Sequence, residues 1–323
     1  MKIPRRHFLH LPGGAAATLA FSKLAAALDY PNRPVRFVVA FFAGSLSDIL
    51  ARSIAPSFSK HLGQEVIVDD QPGAGGNLAT NMVVRASPDG YTLLEATSAN
   101  VWNAALYDTL NFDFIRDIAP VASISRTPAV LTVTPSFPAK TVPEFISYAK
   151  ANPGRVNMAS GGIGSLPHVA GELFKFMTGI NLVHVPYRGS YLPDLLGGQV
   201  QVAFGPIPTL IEQIRAGKLR ALAVTGADPS EALPDLPTLG QFVPGYEASA
   251  FNGVGAPKKI PDEIIFKLNA AVNAALQDSE VQKRFALLGT APVSMTPDEF
   301  GKLIVDESDK WGKVFKAAGI KAD

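Results

Sequence analysis

The chain predicts an α/β fold arranged as two facing domains, on three observations. Strand-like apolar runs alternate with helix-like segments at spacings that favour largely parallel sheets. Two glycine–serine loops, Ala43-Gly44-Ser45-Leu46-Ser47 and Ser160-Gly161-Gly162-Ile163-Gly164-Ser165, each follow a predicted strand and lead into a predicted helix, and their distance in the chain points to one loop per domain. After Gly253 the pattern turns helical, as expected of a late block that completes an earlier domain. The expected organisation is a discontinuous domain I, 29–127 plus 252–323, with domain II, 128–251, inserted and crossings near 125–128 and 251–256.

In order, 35–41 (Val-Arg-Phe-Val-Val-Ala-Phe) reads as a buried strand, followed by a helix over 48–62 that Gly63 ends. Pro56 should bend that helix, because an interior proline removes a backbone bond at a cost of roughly 3 kcal/mol. A strand at 65–69, a glycine turn at 72–77, a helix at 78–85 and a strand at 91–96 complete the first run. The second opens with a strand at 129–134 and a helix at 142–151, begun by Thr141 and Pro143 and closed near Asn152-Pro153-Gly154. A strand at 155–159 feeds the second glycine loop. The helix at 168–178 places Val169, Leu173, Phe176 and Met177 on one face. Strands follow at 182–185, 200–204 and 219–224, the last two flanking a helix at 210–216. Helices at 261–277, 279–288 and 297–318 end the chain.

With 323 residues, 47% hydrophobic and 18% charged, the chain can build two domains with real cores. The absence of cysteine excludes disulfides, thiolate zinc sites and cysteine nucleophiles. Pro4-Arg5-Arg6-His7-Phe8-Leu9-His10 precedes an alanine-rich run ending at Ala25-Ala26-Ala27. This reads as an export signal over 1–28, similar to a twin-arginine signal apart from Pro4 and His10, with the general secretory route as the alternative. Removing it, with Lys2, Arg5, Arg6 and Lys23, takes the net charge from +1 to −3, which gives no footprint for nucleic acid. No later segment approaches the ~20 apolar residues of a membrane span, so a soluble mature protein is expected.

A search for catalytic machinery finds no Walker loop, no G-x-S-x-G elbow and no H-E-x-x-H. Gly73-Ala74-Gly75-Gly76-Asn77 reads as a turn rather than a dinucleotide loop. His61, His168 and His184 lie too far apart in sequence to suggest a metal cluster, and neither a metal nor a cofactor is expected. His168 opens a helix, where a capping or structural role outweighs catalysis, and Ser165 stands at the N-cap position with its hydroxyl or neighbouring amides facing a ligand. Binding groups are better represented. Ser45, Ser47, Thr97, Ser98, Asn100, Ser160, Ser165 and Tyr187 all follow predicted strands, where open α/β sheets hold their ligand crevice. Arg188 reads equally as a ligand partner or a surface charge, and Phe41, Phe42, Phe204 and Phe251 divide between a ligand wall and the core. Glycine lets backbone approach a ligand, and helix N-terminal amides suit a carboxylate or phosphate.

Several segments, taken in order, resemble the Bug family, the extracytoplasmic solute-binding proteins of tripartite tricarboxylate transporters. They are Tyr30-Pro31 with Arg33-Pro34, 48–52, Gln71-Pro72-Gly73-Ala74-Gly75-Gly76, Pro88-Asp89-Gly90-Tyr91-Thr92-Leu93, 160–165 with His168, His184-Val185-Pro186-Tyr187-Arg188-Gly189, 194–200, and Trp311 with Ala318-Gly319-Ile320. The resemblance spans nearly all of the mature chain. It implies a monomeric periplasmic binding protein of Venus flytrap, type II-like form, with the ligand cleft between its lobes. Such a protein captures a small organic carboxylate, a dicarboxylate or an aromatic acid, hands it to the transporter's membrane subunits, and catalyses nothing. It also implies that the loops 42–47 and 160–165 supply amides and hydroxyls to the carboxylate, often through water. The ligand-binding set so expected is Phe42, Ala43, Ser45, Ser47, Ser98, Asn100, Ser160, Gly161, Gly164, Ser165, His168, Tyr187, Arg188, Asp194, Phe204, Gly205 and Phe251. The chain departs from the family pattern at Phe42, Ser45, Gly205 and Phe251 and in a shortened stretch, Ser190-Tyr191-Leu192-Pro193. Tyr191, Phe42 and Gly205 are therefore expected to favour a ligand other than the commonest C4 dicarboxylates, an aromatic or longer acid. A sensory role, docking on a membrane signalling protein, and a periplasmic α/β enzyme are the competing readings; the second lacks an identifiable base or nucleophile.

Overall fold

The computed structural model describes residues 30–107 and 109–321, so the export-signal reading at 1–28 lies outside the described residues. The described residues form ten strands: β1 (Val35–Val39), β2 (Val66–Asp70), β3 (Thr92–Thr97), β4 (Ile118–Val133), β5 (Asn157–Ser160), β6 (Val183–Pro186), β7 (Val202–Pro206), β8 (Arg220–Val224), β9 (Ser249–Pro257) and β10 (Ala291–Pro292). The helices are α1 (Leu46–Leu62), α2 (Asn77–Val84), α3 (Ser98–Leu106), α4 (Phe114–Asp117), α5 (Val142–Ala151), α6 (Leu166–Thr178), α7 (Leu192–Gly197), α8 (Ile207–Arg215), α9 (Asp262–Leu276), α10 (Ser279–Leu288) and α11 (Pro297–Ala318).

The strands are hydrogen-bonded in the order β2-β1-β3-β9-β4-β7-β5-β6, with β8 and β10 also on β4. The outer strands of each half are parallel, and β4 and β9 are antiparallel to their neighbours. The long β4 belongs to two ladders. Ile118 to Pro128 pairs with β9, whereas Ala129 to Val133 pairs with β7 and β8. The expected strand begins only at 129; β4 starts at Ile118 and runs through Pro120 and Pro128, residues that a central strand disfavours. The structure accommodates Pro120 next to a register shift and places Pro128 opposite Ser249, where β9 begins. The sequence pattern also passed over β9 itself, Ser-Ala-Phe-Asn-Gly-Val-Gly-Ala-Pro, whose small residues are needed there. A Cβ on Gly253 would overlap the Phe300 ring and stand 2.5 Å from the Ala122 carbonyl oxygen.

The helix α1 is capped by Ser45, whose Oγ accepts the Asp48 N–H at 3.3 Å, and ends at Gly63 with φ 84°. It runs on through Pro56; the carbonyl that lacks its bond belongs to Arg52, on an exposed turn. Leu50, Ile54 and Phe58 bury their side chains in the same core as Phe37 and Val39 of β1. That core also holds Val133, Met158, Phe174 and Phe204 from the second ladder. Each such side chain, once buried, stabilises the fold by about 2–3 kcal/mol. Trp102 on α3 and Trp311 on α11 meet edge to face at 5.3 Å and tie the last helix to the first ladder. Among the described residues no helix is long and apolar enough to cross a membrane.

Candidate functional site

Strands β1, β3, β5 and β7 all end where the chain turns into a loop or a helix start, and these ends surround one cavity of about 140 Å³. The first ladder contributes Phe41, Phe42, residues 44–47, Thr97, Ala99, Trp102, Ala250 and Asn252; the second contributes Gly161, residues 165–167 and 190–192, Pro206, Thr209 and Leu210. A wider chamber of about 670 Å³ is lined by residues 40–42, 72–76, Tyr107, residues 161–163 and 186–188. Phe41, Phe42 and Gly161 belong to both walls. Among the described residues no lysine, arginine, aspartate or glutamate lines the smaller cavity; Arg188 lines the wider one.

Of the residues expected from sequence, Phe42, Ser45, Ser47, Gly161 and Ser165 come together in the smaller cavity, and Phe42, Gly161, Tyr187 and Arg188 in the wider one. Ala43 is exposed and in neither wall. The others stand behind the walls. Ser98 Oγ accepts the Phe251 N–H at 2.8 Å, and Phe251 packs on Phe300 with ring centroids 5.7 Å apart. Asn100 Oδ1 accepts the Thr97 N–H at 2.6 Å in a capping box, and its Nδ2 donates to Thr80. Phe204 stacks on Phe174 at 5.3 Å in the core, and Asp194 accepts the Tyr187 hydroxyl at 2.7 Å. Gly205 lies under Tyr191: a Cβ there would stand 2.5 Å from the Tyr191 Oη.

Both glycine loops are locked by their own side chains, which leaves fewer amides for a ligand than the sequence pattern suggests. The Gly44 N–H donates to Asp48 Oδ2 at 2.7 Å, and Asp48 is held in turn by Arg52, which also reaches Asp70 at 2.8 Å. In the second loop the Gly162 N–H donates to Ser160 Oγ at 3.1 Å, and the Gly164 N–H donates to His168 Nδ1 at 3.2 Å. Ser165 occupies the N-cap of α6, but its hydroxyl donates to the Gly162 carbonyl at 2.6 Å instead of capping the helix.

Behind this loop the His168 and His184 rings lie 4.4 Å apart, and Ser160 Oγ is 2.6 Å from His184 Nε2. An Nδ1 that accepts an amide proton carries none, so His168 is the neutral Nε2–H tautomer. Burial lowers its pKa to about 3, with the neighbouring His184 adding to the effect, and burial also lowers His184 to about 4. The pair is a neutral support for the loop.

Among the described residues, four polar groups that sequence reasoning did not assign, or assigned only as a departure, gather around the smaller cavity without a hydrogen bond of ordinary geometry. They are Trp102 Nε1, Asn252 Nδ2, the Tyr191 hydroxyl, approached by Thr209, and both oxygens of Glu95, approached by Ser47. Native interiors leave few buried polar atoms unpaired, and each such atom calls for an explanation. Trp102, Asn252 and Tyr191 line the wall itself. Glu95 is fully buried beneath Ser47, and burial pushes its carboxyl up to about 8. Its signal in the sequence was a lone acid inside the apolar strand Thr-Leu-Leu-Glu-Ala-Thr. Among the described residues no group of three or more histidines or carboxylates is placed to hold a metal ion.

The family described as tripartite tricarboxylate transporter family receptor matches residues 50–320. Protein BugT of Bordetella pertussis is 36% identical over 310 residues, covering 94% of this chain and 95% of its own. Among solved structures, Rpa4515 of R. palustris with adipate superposes with TM-score 0.87 at 37% identity, over 91% of this chain and 99% of that one. MatC of Rhodopseudomonas palustris with bound malate gives 0.84 at 32% identity, over 88% and 99%. The periplasmic binding protein BugD gives 0.87 at 32%, over 91% and 100%.

Proposed function

This chain belongs to the tripartite tricarboxylate transporter receptor family, a family of solute receptors and not of enzymes, and from that premise we propose that it captures a small organic carboxylate and delivers it to the membrane subunits of such a transporter. The observation that carries the reading is a cavity lined from both ladders and surrounded by polar groups without a hydrogen bond of ordinary geometry, with small hydroxyls and, among the described residues, no charged side chain in its wall. Adipate and malate in two similar proteins support a carboxylate as the ligand. The protein works in the periplasm as a monomer after twin-arginine export, with 29–127 plus 252–323 as one lobe and 128–251 as the other. The lobes close over the ligand about the segments where β4 changes partners and β9 begins, and ligand drives closure through its preference for the closed form.

Size narrows the ligand class. An engineered cavity of about 150 Å³ holds one benzene, so about 140 Å³ suits a compact or ring-sized body. Phe41, Phe42, Trp102 and Tyr191 supply an aromatic wall for it. The test is a thermal-shift screen of the mature protein against mono-, di-, tri- and aromatic carboxylates. A ligand at 100 times its dissociation constant adds about 2.7 kcal/mol to stability. A saturable shift for one class, lost in a Gly164→Pro Ser165→Ala double variant, is expected, and Tyr191→Ala should alter the profile. Stabilisation by some other solute and by no carboxylate would refute the reading.

A further inference from the structure

We infer that Glu95, fully buried against the wall residue Ser47, is a positioning residue for the bound anion: its carboxyl hydroxyl donates to Ser47 Oγ and so turns the Ser47 hydroxyl proton toward the ligand's carboxylate. The inference rests on the carboxylate reading given above.

Ser47 belongs to the first turn of α1, is buried, and lines the cavity. Glu95 lies two residues before Thr97 on the same face of β3, and Thr97 is also in the wall. The register with β9 sets Val254 opposite Glu95 and Asn252 opposite Thr97. Ser47 is the hydroxyl that approaches Glu95, yet neither carboxyl oxygen has a hydrogen bond of ordinary geometry; the contact taken alone favours the ionised acid, and full burial outweighs it. Among the described residues no charged side chain acts on Glu95. The strand β9 and the helices α2 and α3 carry no ionisable residue. On α1, Asp48 is turned to the Gly44 amide and to Arg52, Arg52 to Asp70, and Lys60 and His61 stand in the last turn, at the opposite end of the helix from Ser47. On β1, Arg36 is bonded to Asp69.

The chemistry follows from the proton count. An ionised carboxylate only accepts, and a serine hydroxyl has one proton to give. With Glu95 ionised, that proton would go to Glu95, and the cavity would face lone pairs and a negative charge. With Glu95 protonated, its O–H donates to Ser47 Oγ, and the serine proton is free for an anion. Ligand and proton therefore bind together. Ionisation of Glu95 must weaken anion binding by up to about tenfold per pH unit above the carboxyl's pKa. Burial sets that pKa at about 8, so the effect falls in the mildly alkaline range.

The experiment is isothermal titration of the mature protein with adipate, malate and 4-hydroxybenzoate as separate probes, first at pH 6.5 and then up to pH 9.5. For a probe that binds at pH 6.5, wild-type affinity should hold to about pH 7.5 and fall roughly tenfold by pH 9. Glu95→Gln, whose amide keeps a donor for Ser47, should bind within about threefold of wild type at pH 6.5 and stay level across the range. Wild-type protein alone supplies a second readout. Titration at pH 8.5 in two buffers of different ionisation enthalpy should show uptake of about 0.8 proton per ligand. Affinity level to pH 9.5, no proton uptake, or the same decline in Glu95→Gln would overturn the assignment while leaving the carboxylate reading intact. If none of the three acids binds at pH 6.5 the assignment is overturned, whereas the carboxylate reading falls only if the wider acid panel of the thermal-shift screen fails as well.

Discussion

The buried acid also makes a prediction about the empty protein. A carboxyl that titrates at 4.5 when exposed and at about 8 when folded separates the two states by about 5 kcal/mol across that interval. The folded-state value is the raised one. The stability it supports is therefore fully present below pH 4.5, declines as the pH rises, and is lost through pH 8. Glu95→Gln keeps the shape and cannot ionise, so it escapes this decline. Urea denaturation of both proteins at half-unit steps from pH 5 to 9 should show a difference that grows by about 1.4 kcal/mol per pH unit and levels above pH 8, with the variant the more stable. Parallel curves would refute the reasoning, because they would mean that Glu95 ionises as readily in the fold as in water.

Acidification should reveal the histidine pair. His168 and His184 are lowered from 6.5 to about 3 and about 4, so the stability they contribute is present above pH 6.5 and is lost as the pH falls through 4 and 3; His168→Gln should flatten that limb in the same denaturation series. Gly205→Ala forces a Cβ against Leu210 and to 2.5 Å from the Tyr191 Oη, which should cost about 1–3 kcal/mol and abolish thermal shifts from ring-sized acids before those from smaller ones. Arg220 donates to the carbonyls of Pro135, Phe137 and Ala139 at 3.0, 2.9 and 3.2 Å. Arg220→Met should lower the denaturation free energy by about 1–3 kcal/mol with ligand affinity unchanged, since Arg220 is in neither chamber wall.

Where local chemistry decides the backbone, the sequence was easy to read. Thr141 with Pro143 is an explicit helix start, and α5 and α11 occupy the expected residues. The Gly-Ser runs at 43–47 and 160–165 likewise announced the two loops that line the cavity. Elements set by tertiary contact were harder to see. The strand β9 is built of small residues because β4 and Phe300 press on it. The helix α3 begins directly after β3, with Thr97 ending the strand and capping the helix. The residues that make the cavity distinctive share this difficulty. Asn252 reaches it through its register with Thr97, more than 150 residues away in sequence, and Trp102 through a helix that the hydrophobic pattern did not show.

The make-up of the wall explains why one buried acid can matter so much. With no lysine or arginine among the described residues lining the smaller cavity, attraction for an anion there comes from hydroxyl and amide dipoles, each worth about 0.5–1.5 kcal/mol net when paired. Two unit negative charges held about 7 Å apart, with one hydroxyl between them, repel by about 2 kcal/mol at an effective dielectric of about 20. Ionising Glu95 would therefore cancel the contribution of two or three good hydrogen bonds, and reversing the Ser47 proton would remove another. A site that used a cation would tolerate such a charge nearby. A site built from dipoles tolerates it only as the neutral acid, and burial beneath Ser47 without any cationic partner is the arrangement that keeps it neutral.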